Sequence, residues 1–124
     1  MTSEERARRV ANRIYEEVAD LLLREVSDPR LRQINVTGVD VDRELAYATI
    51  YVSGMDPQTQ MDEVMRALEG AKGFLRSQLA SRIRLRIFPE LRFRHDTTNE
   101  RVARIEELLA QIHEELDDVE EDGS

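Results

Sequence analysis

Apolar residues in the first part of the chain recur at helical spacing. Val10, Ile14, Val18, Leu21, Leu22 and Val26 form one stripe through TSEERARRVANRIYEEVADLLLREV. Thr2 stands three residues before Glu5, a capping-box pattern that marks the start of this helix. It stops at SDPRL, because Pro29 pushes Asp28 out of helical geometry and cannot itself continue a helix. INVTGVDVD and ELAYATIYVS, rich in β-branched and aromatic residues and joined by DRE, then predict a hairpin. In the second strand Ala46, Ala48, Ile50 and Val52 point one way and Leu45, Tyr47, Thr49 and Tyr51 the other. Both faces are partly apolar, so alternation alone leaves the core face open. Gly38 breaks the pattern of the first strand and predicts a bulge.

A second helical stretch, MDPQTQMDEVMRALEGAKGFLRSQLASRI, opens on Asp56 as a cap with Pro57 at the first helical position. Its apolar positions are Val64, Leu68, Phe74, Leu75, Leu79 and Ile83, and their spacing slips across residues 69–73. One straight helix cannot hold all six on a single face, whereas two helices meeting at a kink between Gly70 and Gly73 can. Two glycines there are costly, at about 0.5–1 kcal/mol each relative to alanine, so a bend or a close approach is expected. RLRIFPELRFRH alternates arginine with Leu85, Ile87, Leu91 and Phe93 and reads as a strand interrupted at Pro89. A last helix from about Thr98 through Leu116 is expected to bury Val102, Ile105, Leu109 and Ile112, and DDVEEDGS reads as a disordered tail.

The element order is therefore α, β, β, α, kink, α, β, α. Helices have to cover an apolar sheet face, which predicts a small α+β domain with helices packed on a three-stranded sheet. A chain of 124 residues with 40% hydrophobic content buries one modest core, so a single domain is expected.

Charge changes the picture more than composition does. The formal net charge is −8, which taken whole argues against a polyanionic partner. Residues 106–124, however, carry nine acids and no lysine or arginine, while residues 1–105 hold all 18 basic residues against 17 acids. Between Arg66 and Arg104 the balance is ten basic to four acidic. An acidic end thus masks a locally basic domain. Seventeen of the 18 basic residues are arginine, which suits planar recognition of phosphate, although a compositional bias would leave the same mark.

Catalytic readings find little to stand on. There is no cysteine to serve as nucleophile or metal ligand, and His95 and His113 are far apart in sequence. His95 beside Asp96 is a strand-end pair whose side chains point to opposite faces. No phosphate-binding glycine loop of the nucleotide-hydrolase type is present, so no enzyme, metal or cofactor is expected. No apolar run of 18 residues spans a bilayer and the charged N-terminus has no signal-like region, which predicts a cytoplasmic protein without membrane contact. No heptad seam is evident, and a monomer is expected.

The segments DPRL, TGVDVDRELAYATIYVS and AKGFLRSQLASRIRLRIFPELRFRHD, in this order and spacing, resemble the blocks of the ribosome-binding factor A family of bacterial small-subunit assembly factors. The resemblance runs from the first helix to about Asp96. It implies a type II KH-like fold in which an interhelical kink of form AxG, here Ala71, Lys72 and Gly73, replaces the usual GxxG nucleic-acid loop. The corresponding division is a KH-like RNA-binding domain over residues 1–114 and an acidic disordered tail over 115–124.

On this resemblance the expected function is non-catalytic binding of the free or immature small (30S) subunit late in maturation. It would include processing of 16S rRNA, contact near the neck and the 5′ helix region, and importance in the cold. Ala71, Lys72, Gly73, Arg76, Arg82, Arg84 and Arg86 are the expected RNA contacts, with Arg30, Arg32, Arg9 and Arg13 in second rank. Arg30 has Asp28 close by as a competing partner. The small subunit and its rRNA are the expected partners, with ribosomal proteins or an assembly GTPase as further ones. The alternative is a protein-interaction adaptor that binds a basic partner through the acidic tail and last helix.

Overall fold

The computed structural model describes residues 1–122, with side chains as far as Val119. The elements are α1 (Ser3–Arg24), a short 3-10 turn (Pro29–Arg32), β1 (Ile34–Val41), β2 (Tyr47–Gly54), α2 (Met61–Arg82), β3 (Glu90–His95) and α3 (Thr98–Asp122). The sheet order is β1-β2-β3. β1 and β2 form the antiparallel hairpin, and β3 lies parallel to β2, which the chain reaches by crossing over through α2. The result is the α+β domain with a three-stranded sheet that the patterning predicts.

Local chemistry explains the boundaries. The Thr2 hydroxyl accepts from the Glu5 amide at 3.1 Å and caps α1. Asp28 caps the 3-10 turn by accepting from the Arg30 amide. The hairpin register shifts between Val36 and Gly38, the predicted bulge, and the Tyr15 hydroxyl donates to the Val36 carbonyl at 3.1 Å beside it. Asp56 does not cap α2. It accepts from the Gln58 amide in a separate turn, and α2 starts only at Met61.

The core lies between one sheet face and two helices. Ile14, Val18 and Leu21 of α1 and Leu68, Leu75 and Leu79 of α2 meet Ala48, Ile50 and Val52 of β2 and Leu91 and Phe93 of β3. The Ala48 face of β2 is thus the buried one. Tyr47, Thr49 and Tyr51 lie on the opposite face, in register with Glu90, Arg92 and Arg94 of β3.

Two further expectations need correction. α2 runs unbroken from Met61 to Arg82, so no pair of helices divides at Ala71-Lys72-Gly73. Phe74, counted as a core position in the pattern, is exposed; without it Val64, Leu68, Leu75 and Leu79 share one face, and Ala67 and Ala71 fill it in. The second correction concerns α3. The helix extends to Asp122, into the stretch read as a tail, and it does not bury its apolar positions. Val102, Ile105, Leu109 and Ile112 are each about half exposed, at 48%, 56%, 51% and 50%. Its net attachment to the body is at its root, where Asp96 accepts from the amide and hydroxyl of Thr98 and from the hydroxyl of Thr37. Gly123 and Ser124 lie outside the described residues.

Candidate nucleic-acid interface

The middle of α2 presents bare backbone to solvent. Gly70 and Gly73 are exposed, and a Cβ built on either would meet nothing within 4 Å. Neither glycine is needed for packing inside this chain. Ala71, between them, turns inward against the core. Lys72 pairs with Glu69 at 2.8 Å, a one-turn surface pair of the kind that exchanges readily for another anion.

Lys72, Gly73 and Arg76 line a recess of about 410 Å³ with Glu90 and Leu91, where α2 faces the start of β3. Arg76 has a structural task here. Its Nη2 donates to the Phe88 carbonyl at 2.7 Å and its Nε to the Pro89 carbonyl at 3.2 Å, fixing the loop between α2 and β3 to the helix. That loop carries Arg84 and Arg86, both exposed. Among the described residues, no carboxylate lies within ion-pair distance of either.

The other predicted cations are placed differently. Arg82 donates to Glu17 at 2.9 Å and to Asp20 at 3.0 Å, and Arg13 donates to the same Glu17 at 2.9 Å. This network ties the end of α2 to α1, and the Arg82 hydrogen bond holds the Glu17 carboxyl below its usual range. Arg30 is gripped by Asp28 at 2.7 Å, and this pairing lowers the Asp28 pKa and raises that of Arg30. Arg32, next to it on the 3-10 turn, and Arg9 on α1 are exposed. The structure therefore brings Lys72, Gly73 and Arg76 to one recess, and Arg76 anchors the 88–89 end of the loop that carries Arg84 and Arg86. Arg9, Arg13, Arg30 and Arg32 belong to other elements, and Arg82 is committed to α1.

Sequence reasoning passed over the outer sheet face. The Arg92 guanidinium carbon lies over the Tyr47 ring, 3.5 Å from its centre, a cation–π contact on the outer sheet face. The Arg-x-Arg alternation of β3 was visible, but its meeting with Tyr47 depends on the parallel register between β2 and β3.

Among the described residues no cluster of three metal-binding side chains occurs. What the arrangement can do is hold a polyanion: a cationic edge, exposed arginine side chains, and glycine backbone that a sugar-phosphate chain can approach closely.

An antiparallel hairpin joined through one long helix to a parallel third strand, with a basic edge where helix and strand meet, defines a KH-like α+β domain. A family model described as Ribosome-binding factor A matches residues 6–109, and the chain belongs to that family, one of ribosome-binding factors and not of enzymes. A ribosome-binding factor A from Halothermothrix orenii is 39% identical over 119 residues, covering 96% of this chain and 98% of the relative. The crystal structure of ribosome-binding factor A from Thermus thermophilus is similar with a TM-score of 0.63 and 25% identity, over 72% of this chain and 94% of that one. A third similar structure is the Thermus thermophilus factor as fitted into the cryo-electron microscopy map of a complex with the 30S subunit. Its TM-score is 0.53 and its identity 26%, over 68% of this chain and 92% of that one. No helix among the described residues is long and apolar enough to cross a membrane.

Proposed function

We propose that this chain binds the free, immature small ribosomal subunit through its rRNA and acts late in subunit maturation, with processing of 16S rRNA and growth in the cold as the processes that depend on it. Family membership and the likeness to a relative fitted into a 30S complex support the reading. The observation that carries it is the recess at Lys72, Gly73 and Arg76, where glycine backbone is exposed and Arg76 anchors the 88–89 end of the loop that carries Arg84 and Arg86.

The mechanism is binding alone. Phosphates approach the exposed face of α2 at Gly70 and Gly73, Lys72 exchanges Glu69 for a phosphate, and Arg84 and Arg86 extend the contact along the backbone. Arg76 positions that loop through the Phe88 and Pro89 carbonyls. Ala71 supports the helix from the core side, and Arg82 and Arg13 hold α1 and α2 together behind the surface. Arg9, Arg30 and Arg32 are peripheral contacts on α1 and the 3-10 turn. Binding favours one rRNA conformation over its competitors, a population shift without a chemical step.

Co-sedimentation of the purified chain with free small subunits, joined ribosomes and protein-free rRNA tests the proposal. Enrichment on free small subunits, lost on joined ribosomes, is the expected result. Equal association with all three, or with none, contradicts it.

A further inference from the structure

α3 carries an apolar seam that nothing among the described residues covers. Val102, Ile105, Leu109, Ile112, Leu116 and Val119 follow one another three, four, three, four and three residues apart. All six are between 48% and 66% exposed. This is a heptad spacing, contrary to the expectation that the chain has no heptad seam, and over the 17 steps from Val102 to Val119 it runs about 26 Å along the helix. A seam of this width fits one partner helix.

Charge decides which. Between Ile105 and Val119 stand six acids and no lysine or arginine. RNA and anionic lipid surfaces are repelled by such a helix, and a second copy of α3 would bring the same charges against it. We propose that α3 docks a basic amphipathic helix of a partner protein, whose apolar stripe packs on the seam and whose lysines or arginines face the flanking carboxylates. The proposal goes beyond the RNA contact of the body, from which α3 projects. It gives the chain two surfaces of opposite charge, one for rRNA and one for a cationic polypeptide. The root of α3 is fixed to the sheet through Asp96, so the two surfaces keep a defined connection.

The test uses the full chain and a fluorescein-labelled synthetic 21-residue peptide with leucine at the seam positions and lysine beside them, at physiological ionic strength. Saturable one-to-one binding with a gain in helical circular dichroism is expected. The variant Leu109→Asp with Ile112→Asp keeps the body's cooperative melting, since neither side chain is part of the core, and gains negative charge. Its affinity for the peptide should nevertheless fall by about a hundredfold. Undiminished binding by that variant would reduce the interaction to non-specific charge and overturn the proposal. So would sedimentation of the unmodified chain as a dimer that the variant converts to monomer, because the seam would then belong to a second copy.

Discussion

The Asp96 carboxylate accepts a 2.7 Å hydrogen bond from the hydroxyl of Thr37, 59 residues earlier in the chain, and so joins the bulge of β1 to the root of α3. The Thr98 hydroxyl and amide complete its shell, and these bonds, that of the Thr98 side chain foremost, lower the Asp96 pKa to about 2 from an ordinary 3.8. The folded state therefore resists protonating this group where the unfolded chain accepts a proton. Its contribution to stability is full above about pH 4 and disappears as pH falls through about 2. Thermal midpoints of wild type and Asp96→Asn measured from pH 7 to pH 2 should differ most at neutral pH and converge at the acid end. Glu17 and Asp28 add acid sensitivity of the same sign, which both proteins share.

Replacing both exposed glycines of α2 should separate folding from binding. With nothing within 4 Å of either added Cβ, Gly70→Ala and Gly73→Ala each remove backbone freedom from the unfolded chain without a clash. Together they should raise stability by about 1–2 kcal/mol in urea titrations. Affinity for the small subunit should fall in the same variant, because the methyl groups hold a sugar-phosphate backbone away. A rise in stability with unchanged affinity would show that rRNA does not approach this face.

Gly54 at the end of β2 is the opposite case. A Cβ there would lie 2.7 Å from the Thr59 Cβ and 3.2 Å from the Asp56 carbonyl oxygen. Gly54→Ala should destabilise by about 1–3 kcal/mol through displacement of the 56–59 turn. The double variant with Thr59→Ser, which keeps a Cβ at the same place, should recover little of that loss.

Arg82 and Glu17 should behave as structure and not as interface. A double-mutant cycle with Arg82→Met and Glu17→Gln should show coupling in urea midpoints. Arg84→Gln and Arg86→Gln should leave those midpoints unchanged, since no carboxylate among the described residues holds either side chain.

Signals confined to neighbouring residues were legible in the sequence. The α1 stripe, the Thr2 cap, the hairpin and the bulge at Gly38 all follow from spacing and residue type. The Arg30 pairing was readable as well, because Asp28 lies two positions away. Features set by distant contacts were not. Glu17, which claims Arg82, is 65 residues removed from it. Phe74 is apolar yet exposed, and counting it as core turned one continuous helix into two. Periodicity along α3 declared an apolar face but carried no information about what covers it, so burial against the body was a natural and incorrect expectation.

The proposed rRNA contact depends on cationic side chains around the α2 recess that neutralise phosphates. It is tested most directly by the salt dependence of affinity for free small subunits, comparing wild type with a variant carrying Lys72→Gln, Arg84→Gln and Arg86→Gln. Each lost phosphate contact should reduce the slope of log K against log salt by about 0.7–0.9, a total change of about 2–3, with an accompanying loss of affinity at low salt. An unchanged affinity and slope would place the rRNA contact elsewhere on the molecule and contradict the account.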